Sequence, residues 1–199
     1  MPPQLPPPAP RRVHYLPDFL DADMEADLLQ KLTAGDKGWA RLSKRRLLNC
    51  GGTPHPSGMF VEDLAPPVEA LCDRLLASGV FGADHRPNQL LINAYEPGTG
   101  ISPHQDGPLY EPMAAIVSLG QPAVMDFWQP GPEGNVRVAS VVMQPRSLLV
   151  FAEDVFCVLK HGIADVDTWT VDDSCINAEA AGVAVGDRVC VSGERVSVT

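Results

Sequence analysis

The chain has 199 residues, 45% of them hydrophobic, and carries a formal net charge of −10. That is long enough for one domain with a sizeable core, and no stretch approaches the roughly 20 apolar residues a membrane span requires. The acidic balance argues against broad, non-specific binding to nucleic acid, because phosphates need facing cations.

In chain order, residues 1–12 (Met-Pro-Pro-Gln-Leu-Pro-Pro-Pro-Ala-Pro-Arg-Arg) predict a disordered, Pro-rich tail with no apolar signal-peptide core. Residues 21–33 predict a helix with Met24, Leu28, Leu29 and Leu32 on one face behind an acidic first turn. Between Trp39 and Arg46 the run Trp-Ala-Arg-Leu-Ser-Lys-Arg-Arg is basic and free of acids, whereas the acidic excess gathers at 18–27, 62–73 and 165–187. A basic loop on an acidic body is either a steering patch for a polyanion or an ordinary solvated hairpin. Pro66 and Pro67 open a second helix, with Val68, Leu71, Cys72, Leu75 and Leu76 on its apolar face and Gly79 at its end.

From Gln89 the pattern changes to short apolar strands set off by Gly and Pro, at 89–95, 101–106, 113–119, 123–128, 137–143, 147–152, 157–161 and 189–199. Helices followed by many short strands predict an α+β domain whose β part is a sandwich or jelly roll. The divisions expected are the tail, an N-terminal helical region with a substrate-recognition loop over 13–88, and a jelly-roll core over 89–199. An Asp-, Ala- and Gly-rich insert at 164–188 interrupts that core as a surface excursion. The five cysteines are odd in number, scattered and without a C-x-x-C pair. They predict reduced thiols and a cytoplasmic or nuclear location.

One short motif carries chemistry. In an extended segment residues i and i+2 share a side, so His104 and Asp106 can converge on one ion, and Pro103 favours the extended form. A second imidazole must come from a distant strand, and His161 sits where the run Ser147–Phe151 is followed by a turn and a new strand start. Two imidazoles and one carboxylate leave half of a metal's coordination sphere open, unlike a closed four-ligand structural zinc site.

Several segments resemble the AlkB-type iron(II)/2-oxoglutarate dioxygenases, and more narrowly the AlkB homolog 6 subgroup. They are Tyr15-Leu-Pro-Asp-Phe19, Leu48-Asn-Cys-Gly-Gly52 with Pro54-His-Pro56, Asn93-x-Tyr95-x-Pro-Gly98, Pro103-His-Gln-Asp-Gly-Pro-Leu-Tyr110, Pro145-Arg-Ser-Leu-Leu-Val150, His161-Gly-Ile163 and Arg195-Val-Ser-Val-Thr199. The resemblance runs from about residue 13 to the end. It implies a double-stranded β-helix (jelly roll) preceded by an N-terminal helical region, with Fe(II) and 2-oxoglutarate as cofactors. It implies that His104, Asp106 and His161 hold the iron. Arg195 would hold the distal carboxylate of 2-oxoglutarate, with Tyr95 beside it and Asn93 near the other end.

The activity implied is oxidative demethylation of a nucleic-acid base or a related N-methyl group. Single-stranded RNA or DNA is the expected partner and a monomer the expected state. Trp39, Lys44, Arg45, Arg46 and Tyr110 are the candidate substrate contacts. Two positions depart from the family. Pro108 stands where the DNA-repair members place an acid, and the family's second arginine would fall at 201, beyond Thr199. Those departures leave open a nucleic-acid-binding or adaptor protein with weak or lost catalysis. A cupin-type metal enzyme is the third reading, but such a protein has no need of a carboxylate anchor at Arg195.

Overall fold

The computed structural model describes residues 13–35, 38–82 and 84–199, so the expected Pro-rich tail at 1–12 lies outside the described residues. The elements are β1 (Val13–Leu16), α1 (Ala22–Thr33), β2 (Ala40–Arg41), β3 (Arg46–Cys50), β4 (Gly52–His55), β5 (Gly58–Val61) and α2 (Pro66–Ala77). Then come β6 (Leu90–Tyr95), β7 (Ile101–His104), β8 (Met113–Leu119), β9 (Ala123–Gln129), β10 (Val136–Met143) and β11 (Leu148–Ala152). The last are α3 (Asp154–Cys157), β12 (Lys160–Ile163), β13 (Thr168–Thr170), β14 (Arg188–Cys190) and β15 (Arg195–Val198). Among the described residues no helix is long and apolar enough to cross a membrane.

Two antiparallel sheets form the barrel, a larger one in the order β1-β11-β8-β15-β6-β3-β2 and a smaller one in the order β10-β9-β12-β7. The period-two alternation of each strand divides the core in two. Ile116, Leu149 and Phe151 of the larger sheet meet Met125, Phe127, Val141 and Met143 of the smaller one inside the barrel. On the outer face of the larger sheet, Ile92, Ala94, Val117, Leu119, Val196 and Val198 pack against the helices. Helix α1 starts where Asp21 accepts a hydrogen bond from the Met24 amide at 2.8 Å, and it buries Leu28 and Leu32 on that face. Helix α2 starts on its two prolines and buries Val68, Leu71, Cys72 and Leu75. Along β6 and β15 the alternate residues Asn93, Tyr95, Arg195 and Ser197 therefore face inward.

The structure departs from the sequence reading in three places. The segment 13–88 is as much strand as helix: β1, β2 and β3 extend the larger sheet and β4–β5 form a separate hairpin. The strand expected at 157–161 is preceded by the short α3 and begins at Lys160, and the one expected at 189–199 is broken into β14 and β15. The third is the insert at 164–188, which is no loose excursion. Inside it, the Asn177 side chain accepts from the Val142 amide at 2.9 Å and donates to the Val142 carbonyl at 2.8 Å. The Ser174 carbonyl accepts from the Ser140 amide and the Ile176 amide donates to the Ser140 carbonyl on the same strand, and Val171 and Ala181 join the barrel core. The insert thus satisfies the exposed margin of β10, the edge strand of the smaller sheet.

Candidate metal centre and co-substrate pocket

Strands β7 and β12 pair antiparallel with His104 opposite His161, and this register brings two histidines 57 positions apart to a ring-centroid separation of 4.4 Å. Glycine permits the close approach. A Cβ on Gly162 would lie 2.9 Å from the Ile101 carbonyl oxygen, and one on Gly100 would lie 2.1 Å from that of Ile163. Asp106 follows β7 by two residues, and its Oδ1 is 3.9 Å from the Nε2 atoms of both His104 and His161. The three donor atoms lie within 4.8 Å of one another.

Protonation favours a cation between them. The Nδ1 of His104 lies 2.9 Å from the Ser102 carbonyl oxygen, so the proton belongs on Nδ1 and the Nε2 lone pair is free. His161 is buried beside the Phe151 ring. Burial, and secondarily His104, push its pKa down to about 3, which keeps the imidazole neutral. Burial raises the pKa of Asp106, partly offset by His104. A partly buried carboxylate and two imidazoles, of which burial keeps His161 neutral, are the complement a divalent cation requires, and three protein donors leave coordination positions open.

Arg195 lies deep in the same barrel at 3% exposure. Its Nη2 donates to Ser118 Oγ at 2.9 Å and touches Met143 Sδ at 3.8 Å, while its Nε has no partner. Among the described residues no carboxylate lies within ion-pair distance of it, and burial lowers its pKa to about 10. A buried guanidinium without an anion is costly unless a ligand supplies one. Tyr95 is its neighbour on β6, and Asn93 Oδ1 accepts from Arg45 Nε at 2.8 Å. The donors thus fit a dicarboxylate as the three-residue cluster fits a metal.

Of the candidate substrate residues, Tyr110 lines a cleft of about 660 Å³ that also includes Asp106, Gln89, Phe81 and Phe156. The structure does not show the basic loop as a free row of charges. Lys44 pairs with Asp165, Arg45 is held by Asn93, and Arg46 pairs with Glu194 at 2.7 Å. Trp39 donates its indole N–H to the Leu32 carbonyl at 3.2 Å and carries the Arg46 guanidinium 4.9 Å above its ring. These acids and Asn93 are remote in sequence, which is why the loop reads as a separate patch until it is folded. Sequence reasoning also missed Ser118, the one hydroxyl in the apolar run Met113–Leu119, whose inward position was the available signal.

Residues 23–199 match the family model of the 2OG-Fe(II) oxygenase superfamily. The chain is 36% identical over 201 aligned residues to the "Probable RNA/DNA demethylase ALKBH6" of Danio rerio, covering 96% of this chain and 85% of that protein. It is 27% identical to the "Uncharacterized protein L905" of Acanthamoeba polyphaga mimivirus, over 73% of this chain and 70% of that one. Among solved structures, OsALKBH1 superposes with a TM-score of 0.57 at 17% identity, covering 94% of this chain and 95% of the other. A 2OG-Fe(II) oxygenase-family oxidoreductase from Burkholderia pseudomallei gives 0.51 at 17% identity, over 94% and 81%. At those identities the two structures show the fold alone.

Proposed function

The chain belongs to the 2OG-Fe(II) oxygenase superfamily and is an iron(II)- and 2-oxoglutarate-dependent dioxygenase, and from that premise we propose that it demethylates a base in nucleic acid oxidatively. In this reading His104, Asp106 and His161 hold the iron, Arg195 and Tyr95 hold the distal carboxylate of 2-oxoglutarate, and Asn93 lies near its other end. The observation that carries it is the buried Arg195, a cation without an anion among the described residues, inside the barrel that also brings together a two-imidazole, one-carboxylate donor set. The choice of nucleic acid rests on the name of the Danio rerio relative.

Bound iron and 2-oxoglutarate would supply the oxidising chemistry: one atom of dioxygen goes to the methyl carbon, the other to 2-oxoglutarate, which leaves as succinate and carbon dioxide. The N-hydroxymethyl product then loses formaldehyde and restores the N–H of the base. The protein's own part is positional. The Ser102 carbonyl fixes the His104 tautomer, burial keeps His161 neutral, and Ser118 holds one arm of the guanidinium so that the rest of the fork meets the carboxylate. A base reaches such a centre only from a single strand or flipped out of a duplex, and Tyr110 in the cleft beside Asp106 offers a ring to stack on. Single-stranded RNA or DNA is accordingly the partner, with a monomeric protein acting in the cytoplasm or nucleus.

The test is release of formaldehyde and succinate from N-methylated single-stranded oligonucleotides, with His161→Ala as the control. Formaldehyde in wild type and none in the variant supports the reading. Tight oligonucleotide binding without either product would favour the adaptor role.

A further inference from the structure

The segment 105–112, which carries Asp106, is fastened at both ends to the short helix α3. At one end the Glu153 amide donates to the Pro112 carbonyl at 2.9 Å. At the other, Gln105 donates from Nε2 to the Cys157 carbonyl at 2.7 Å. Because the acceptor is a carbonyl, the N–H side of the carboxamide must face it. Cys157 is the last residue of α3, where a helix has no amides of its own left for its carbonyls, and it precedes His161 by four positions. One side chain thereby joins the stretch of His104 and Asp106 to the stretch that leads into His161.

The three donors differ in what else holds them. His104 is seated by its register opposite His161 and by the Ser102 carbonyl, and His161 is paired to strands on both sides. Asp106 lies past the end of β7, where the ladder has stopped. Among the described residues no hydrogen bond reaches its carboxylate, and the two imidazoles at 3.9 Å are beyond that range. A shift of this loop by about an ångström would leave a donor set of two imidazoles. We propose that Gln105 is a positioning residue of the metal centre, whose bond to Cys157 keeps the Asp106 carboxylate at one distance from His161. This rests on the reading of His104, Asp106 and His161 as metal ligands. Gln105 acts on the metal only through Asp106, since its own amide is engaged by Cys157.

The test is titration of the metal-free protein with Mn(II), followed by the electron paramagnetic resonance of the free ion, and with Ni(II), followed by calorimetry. Mn(II) depends on oxygen donors, whereas imidazoles alone hold Ni(II) well. Gln105→Leu keeps the side-chain length within one atom and deletes the N–H groups. It is expected to weaken Mn(II) about 10-fold and Ni(II) by less than about 3-fold. A residue that serves only the fold would weaken both ions by the same factor, because folding is linked to either metal alike. An equal loss for the two ions, or an unchanged Mn(II) affinity, overturns the proposal. Asp106→Ala run in parallel separates the two levels. If it leaves Mn(II) affinity unchanged, the metal-centre assignment falls; if it alone weakens Mn(II), only the positioning role of Gln105 falls. Should Gln105→Leu fail to fold, Gln105→Met, unbranched and equally without an N–H, is titrated in its place and read by the same outcomes.

Discussion

Arg195 and Tyr95 are direct cross-strand partners on β15 and β6, with the guanidinium carbon 5.7 Å from the centroid of the phenol ring. The next inward pair along the same two strands is Ser197 opposite Asn93. One register therefore sets the spacing of the whole polar row inside the barrel. A slip of a single residue would turn that row out into the helix layer.

Arg195→Ala is expected to weaken 2-oxoglutarate by about 10- to 100-fold, or about 1.5–3 kcal/mol, with iron affinity unchanged. Arg195→Lys should recover only part of this, since an ammonium cannot reproduce the fork. Arg195→Met removes a buried charge that lacks an anion, so the cofactor-free variant should melt higher than wild type and lose the further rise that 2-oxoglutarate induces. Calorimetry and thermal melts check all three, and a wild-type affinity in Arg195→Ala would remove Arg195 as the carboxylate anchor.

His104→Ala and Asp106→Ala should each abolish tight iron binding while the protein still folds. His104 ends β7, Asp106 follows it by two residues, and both are only half-buried, so they serve the ion more than the core. Metal content by mass spectrometry together with a melt decides this. Iron loading at the wild-type level in both variants would remove the centre from this position.

Arg45 donates from Nε to Asn93 Oδ1 at 2.8 Å. Its replacement by Ala is expected to weaken 2-oxoglutarate about 3- to 10-fold, since one hydrogen bond of ordinary strength no longer orients the amide. Lys44→Ala, which breaks an exposed pair with Asp165, should leave that affinity unchanged. Neutralising Lys44, Arg45 and Arg46 together should lower the melting temperature as well as any affinity for single-stranded nucleic acid. An unchanged salt dependence of binding in that triple variant would show that these cations serve the fold and not a phosphate backbone.

Asn177→Ala removes both hydrogen bonds to Val142 and leaves a buried amide and carbonyl without partners. A loss of about 2–4 kcal/mol of unfolding free energy in urea is expected. A loss below about 0.5 kcal/mol would place the change within the ordinary range for surface residues and argue against the clasp.

The features visible in the sequence were those set by local rules. Helix α1 is announced by Asp21 and an apolar stripe, α2 by its prolines, and the pairing of His104 with Asp106 by the two-residue period of extended chain. What local rules cannot reach is pairing across long separations. Strand β1 joins β11, with Val13 opposite Phe151, and nothing within four residues of either end specifies the other. The same holds for Lys44 with Asp165 and Arg46 with Glu194, 121 and 148 positions apart. It holds again for the insert, whose composition reads as loop because its contribution is a few buried residues and one asparagine against a strand edge.

Asp165 accepts a hydrogen bond from the Gly100 amide at 2.9 Å while pairing with Lys44, whose hydrogen bond holds the carboxyl below its usual range. A single side chain thereby fastens three distant stretches: the hairpin between β2 and β3, the turn that leads into the His104 strand, and the exit from the His161 strand. Thermal fluctuations of these stretches are consequently shared. In amide hydrogen exchange they should open as one cooperative unit, so that a lesion in the hairpin registers as faster exchange at Gly100 before any change in global unfolding.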